Sequence, residues 1–189
     1  MQSATFVRIT RTSSWITFLT SLNVIFLLII VYSKVCYKDE IVLGLVSVIN
    51  TITNKENQVE LIKKICQPFA TEILKVAQED QGVEKMPMTK KSQAFKTLNK
   101  NVGKLSLIVK ALDKAKDDAT DHPMVEIMKL IWPILQQFML KYYDQAGLIE
   151  VIMKFIKHTI RCLGVLFGPF IEPLFNIIVQ NYEVNMNLH

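Results

Sequence analysis

Apolar residues recur at helical spacing from Lys38 to the C-terminus, and no stretch shows sustained strand alternation. The run "DEIVLGLVSVINTIT" from Asp39 predicts a short helix with almost no polar face, an element buried on most sides. Asn57 and Glu60 fit the spacing of a capping box and open a second helix. That helix gathers Glu60, Lys63, Lys64, Gln67, Thr71 and Lys75 on one stripe, opposite Leu61, Ile62, Ile65, Phe69, Ile73 and Leu74. Residues 79–92, with Gly82 and Pro87, read as a loop. A third helix from about Gln93 to Lys116 brings Phe95, Leu98, Val102, Leu105, Ile108, Val109 and Leu112 together. Pro123 suits the first turn of a fourth, whose polar positions are Glu126, Lys129, Gln136 and Lys141. A fifth, from about Leu148 to Phe167, carries Glu150, Lys154, Lys157, His158 and Arg161 as one solvated stripe on an otherwise apolar cylinder.

The stretch "RCLGVLFGPFIEPLFNIIVQNY" (161–182) is as apolar as a membrane segment but is punctuated by two glycines and two prolines. Gly168 is placed to end the fifth helix and Pro169 to begin a sixth, so the segment reads as a tight reversal between two helices. Pro173 then gives the sixth helix an irregular start or a slight bend. "VELIKKICQPFATEIL" (59–74) aligns with "VEIMKLIWPILQQFML" (125–140) when one residue is skipped, and both carry a mid-helix proline, Pro68 and Pro133. The fold class that fits is all-α: an α-solenoid of antiparallel helix pairs with HEAT/ARM-like repeats, residues 38–189, each pair contacting mainly its neighbours.

Residues 1–37 differ. Between Thr12 and Ser33 no residue is charged, and 22 residues of helix rise about 33 Å, enough to cross a bilayer core. Trp15 and Tyr32 stand near its ends, whereas Ser21 and Asn23 near its middle weaken the membrane case. The net charge of +5 is uneven: residues 1–37 contribute Arg8, Arg11 and Lys34 without an acid, and residues 122–189 balance. The lysines of 85–116 alternate with acids and core positions, so the basic balance describes no cationic groove, and direct nucleic-acid binding is not expected. Three distant cysteines, Cys36, Cys66 and Cys162, form no disulfide framework, which leans towards a reducing compartment.

Catalytic and cofactor signatures are missing. The chain holds no glycine-rich phosphate loop, no His-Glu-x-x-His and no Cys-x-x-Cys. His122, His158 and His189 are scattered, His158 lies on a polar stripe, and Cys66 and Cys162 lie on apolar faces as small core residues. No catalytic, cofactor-binding or metal-binding residue is nominated, and no enzyme activity is expected.

His122-Pro123, the run Ile131-Trp132-Pro133-Ile134-Leu135, Ile149-Glu150, Arg161-Cys162-Leu163-Gly164, Pro173-Leu174 and Tyr182 together resemble the middle of nuclear transport receptors of the importin-beta (karyopherin) superfamily, nearest the importin thirteen and transportin three branch. "EIVLGLVSVINTI" and "LIKKICQPFATEILKVAQ" resemble the preceding helix pair, so the resemblance covers about residues 38–189. It implies a non-catalytic receptor found in nucleus and cytoplasm. Such receptors bind protein cargo and Ran GTPase, and touch nuclear pore proteins. The repeats that grip Ran in the family have no counterpart in this chain, so no Ran-binding residue is carried over, and residues 1–37 match nothing in the pattern. The expectation is a fragment of such a receptor with a spurious N-terminus and exposed apolar ends. The alternative is a membrane-anchored helical adaptor spanning at residues 12–33.

Overall fold

A computed structural model of the chain describes residues 39–81, 88–116 and 122–186. The chain divides into two units, 1–38 and 39–189; the reading of residues 12–33 falls outside the described residues. Among its described residues the second unit contains six α-helices: α1 Asp39–Asn50, α2 Lys55–Gln81, α3 Met88–Ala111, α4 Pro123–Lys141, α5 Ala146–Leu163 and α6 Gly168–Met186, with a 3₁₀ turn at Gly164–Phe167. Among the described residues there is no strand.

Capping sets the helix starts. Asp39 and Glu40 sit in the first turn of α1, at the positive end of its dipole. Asn54, rather than Asn57, caps α2: its Oδ1 accepts the Asn57 N–H at 3.1 Å. At α4 the cap is His122, whose Nδ1 accepts the Met124 N–H at 3.2 Å, with Pro123 in the first turn as expected. Pro68, Pro133 and Pro173 all lie inside helices that continue through them. Pro68 and Pro133 are exposed, so the carbonyl each leaves without a helical partner can bond to water.

The helices stack in two rows. α1 packs on α3, and α3 packs on α5 in the most extensive contact of the unit; in the other row α2 packs on α4 and α4 on α6. Helices within a row run the same way. Lys104 of α3 pairs with Asp39 at the start of α1, and Asn50 Nδ2 at its end donates to Ala111 O at 2.9 Å. Trp132 of α4 meets Phe170 early in α6, and Asn181 Nδ2 late in α6 donates to Met139 O at 3.2 Å. Successive helices belong to opposite rows and reverse direction, which is the architecture of an α-solenoid.

The core lies between the rows. Leu98, Val102, Leu105 and Ile108 of α3, Met124, Met128, Ile131 and Leu135 of α4, and Ile152 and Phe155 of α5 are fully buried. Thr159, also buried, donates its hydroxyl to Phe155 O at 2.9 Å, so no polar atom of that side chain is stranded. The solvated stripe expected on α2 is exposed at all six positions.

Four expectations change. α1 buries only Val42, Val46 and Ile49 and leaves Ile41 and Val48 exposed, because its one substantial neighbour is α3. α2 continues to Gln81 and α3 begins at Met88, inside the segment expected as a loop, and α3 ends at Ala111 rather than Lys116. α5 ends at Leu163, not Phe167. Its cap is Gly164, at φ 52° and ψ −122°, a backbone conformation that side-chain-bearing residues rarely adopt. The break four residues earlier than expected lets Phe167 and Phe170 both reach the Trp132 ring, at centroid separations of 6.4 and 5.7 Å. The run Ala146–Glu183 is long and apolar enough to cross a membrane by composition, but Gly164 interrupts it and part of it is buried.

Trp132 is 5% exposed, inside this aromatic cluster. Trp132→Ala should lower stability by about 3–5 kcal/mol in urea-induced unfolding followed by circular dichroism; a loss below about 0.5 kcal/mol would place the ring outside the core. No atom crowds the Cβ position at Gly164, so Gly164→Ala tests the backbone alone. It should cost about 1–3 kcal/mol in the same measurement, from strain.

Candidate interaction surface

Among the described residues no three His, Cys, Asp or Glu side chains gather as a metal site. The features that remain are surfaces.

One lies on the α2–α4 row. Lys63 and Gln67 of α2 face Glu126, Lys129 and Leu130 of α4 across a shallow groove of about 560 Å³. Glu126 accepts a hydrogen bond from Lys129 Nζ at 2.9 Å. That bond and the Lys129 charge hold its carboxyl below the usual range, and Lys63 across the groove adds to the effect. This surface is mixed in charge, with one exposed leucine in it.

A second lies where α3 and α5 end. Asp113 O accepts from the Cys162 thiol at 3.6 Å, Ala115 N–H donates to Cys162 O at 2.7 Å, and His122 Nε2 stands 3.8 Å from Cys162 Sγ. With Nδ1 accepting from Met124, the tautomer that fits carries its ring proton on Nε2, towards the sulfur. The start of α4 is thereby tied to the end of α5. Burial pushes the Cys162 thiol up to about 11, and the Asp113 carboxylate adds to the rise; burial alone pushes Cys66 up to about 12. Both are protonated packing groups and not nucleophiles.

Next to this latch, Lys110 of α3 and Lys157 and Arg161 of α5 surround His158 and form no ion pair among the described residues. Lys110 and Arg161 occupy last turns, where the negative end of the helix dipole favours a cation. Partial burial lowers the His158 pKa most, followed by the charges of Lys110, Arg161 and Lys157. The imidazole is therefore neutral at pH 7.

The third surface is α6. Phe170, Leu174 and Ile177 are buried on the α4 side. A different side exposes Ile171, Phe175, Ile178, Val179, Tyr182 and Met186, with Phe175 at 62% and Tyr182 at 63%. The sequence reading nominated none of these residues. The spacing four-three-four from Ile171 to Tyr182 is the signal that the sequence offers for them.

α4, α5 and α6 together make up the segment that matches a family model. A family model for the Transportin-3/Importin-13 fourth TPR domain matches residues 122–187. The match begins at the His122 cap of α4 and runs past the end of α6. No solved structure matches the chain.

His158 gives a local test of the electrostatics. Its folded pKa lies below the unfolded value of 6.5, so neutral His158 favours the folded state above that value. This contribution is lost as pH falls through the folded pKa. An NMR titration of its ring should show a midpoint below 6.5, and Lys110→Ala should move the midpoint up. An unchanged midpoint would mean that Lys110 does not act on the ring. The segment from the cap of α4 to the end of α6 is thus similar to the Transportin-3/Importin-13 fourth TPR domain.

Proposed function

We propose that the chain binds protein cargo along its stacked helices in nucleocytoplasmic transport, and that it catalyses no reaction. The observation that carries this reading is the family match over residues 122–187, which takes in three consecutive helices of the solenoid and the turns that join them. The physics supports it: a two-row stack displays long helical faces with few loops, and such surfaces recognise other proteins by shape and side-chain pattern. On this reading the chain is found in both nucleus and cytoplasm. Ran GTPase and nuclear pore proteins are the further partners that the family implies, and no residue here is assigned to either.

The competing reading, a membrane-anchored adaptor, rests on the uncharged segment 12–33. One experiment separates the two. A tagged full-length chain is expressed in cultured cells, located by microscopy, and its membranes are washed with alkaline carbonate. The transport reading expects tagged chain on both sides of the nuclear envelope and full release by carbonate. Exclusion from the nucleus with retention in washed membranes would overturn it and establish the anchor.

A further inference from the structure

The start of α4 depends on one side chain that can take up a proton. Pro123 has no N–H, and the Val125 N–H bonds to His122 O at 2.9 Å. The amide left to find a partner is that of Met124. Met124 is fully buried, so water does not reach this N–H, and its acceptor is His122 Nδ1 at 3.2 Å. The usual caps, Asn, Asp, Ser and Thr, accept through oxygens that stay acceptors near neutral pH. An imidazole accepts only while Nδ1 is unprotonated. A proton taken from solvent onto Nδ1 sets two N–H groups against each other, strands the buried amide and places a positive charge at the positive end of the α4 dipole.

The same ring stands 3.8 Å from Cys162 Sγ, and Cys162 holds the α3–α4 connection through Asp113 O and the Ala115 N–H. We infer that His122 is a proton-sensitive latch: it holds the start of α4 against the end of α5 and the α3–α4 connection while its ring is neutral, and releases it when Nδ1 is protonated. The groups around the ring bear on the sign. On α5 the Cys162 thiol is protonated and brings no charge, and Arg161 acts on His158. Glu126 of α4 is bonded to Lys129. Towards α2 and the connection, His122 opens on a cavity that holds, among the described residues, three carboxylates, Glu56, Glu60 and Asp113, and four ammonium groups, Lys55, Lys63, Lys114 and Lys116. That balance gives an imidazolium no net attraction. Asp117, Asp118 and Asp121 precede the ring in the chain, and a carboxylate bonded to it would reverse the sign.

The test compares the full chain with His122→Asn, whose amide oxygen caps a helix without titrating. Hydrogen exchange at the Met124 amide is followed by NMR at about pH 8 and about pH 5, on either side of the usual imidazole titration, and corrected for the intrinsic pH dependence of exchange. In the unaltered chain, protection should fall about tenfold at the lower pH; in His122→Asn it should stay. Both chains carry His158, so the difference between them belongs to His122. The nitrogen shifts of the His122 ring give a second reading that needs no variant: at the higher pH the proton should sit on Nε2. A proton on Nδ1 there overturns the inference. So does an equal loss of protection in the two chains, or protection in the unaltered chain that holds at the lower pH. Protection that rises at the lower pH also overturns it, since a carboxylate then holds the imidazolium in place.

Discussion

The contact of α3 with α5 is the one on which the rest of the described fold depends. α3 is the middle helix of its row, and it touches α1, α2 and α5. Its apolar face holds four fully buried residues, Leu98, Val102, Leu105 and Ile108, and α5 answers with Ile152 and Phe155. Because each helix carries only a narrow polar stripe, none is satisfied by its hairpin partner alone. The next helix of the same row must cover what the partner leaves. Repetition of that requirement turns a run of hairpins into a solenoid, and it aligns the helices of a row in one direction.

This alignment brings helix ends together. The ends of α3 and α5 meet the start of α4, where His122 accepts from α4 and reaches Cys162 of α5. Cys162 in turn holds the α3–α4 connection through Asp113 O. The contacts that pin the stack are made by Cys162, His122 and backbone groups, whereas the cations around them stay solvated. The charged cluster at His158 and the latch at Cys162 are neighbours with separate physical roles.

The sequence revealed the fold where polar residues were dense enough to mark a face. The stripe from Glu60 to Lys75 on α2 and the buried set from Leu98 to Val109 on α3 are where the spacing put them. It misled where two residues offered the same local chemistry. Asn54 and Asn57 can both cap a helix, and the chain's entry from α1 decides for Asn54. Gly164 and Gly168 can both end one, and the fit of Phe167 and Phe170 against Trp132 decides for Gly164. Apolar richness did not tell burial from exposure: Val42 and Ile41 are alike in sequence, yet one is covered and the other is not. The same ambiguity hid the exposed side of α6, because Phe170 and Phe175 differ only in which has a neighbour.

The turn at Gly164 separates α6 from α5 so far that the two helices scarcely touch, and α6 is held chiefly by α4 and by the aromatic cluster at its start. Local unfolding free energy follows such contacts. The unit is therefore expected to have a gradient of cooperativity, with the amides of α3 and α5 better protected than those of α6. A helix held by one neighbour, through the aromatic cluster at its start and the Asn181–Met139 hydrogen bond near its end, adjusts its angle at lower cost than a helix covered from two sides.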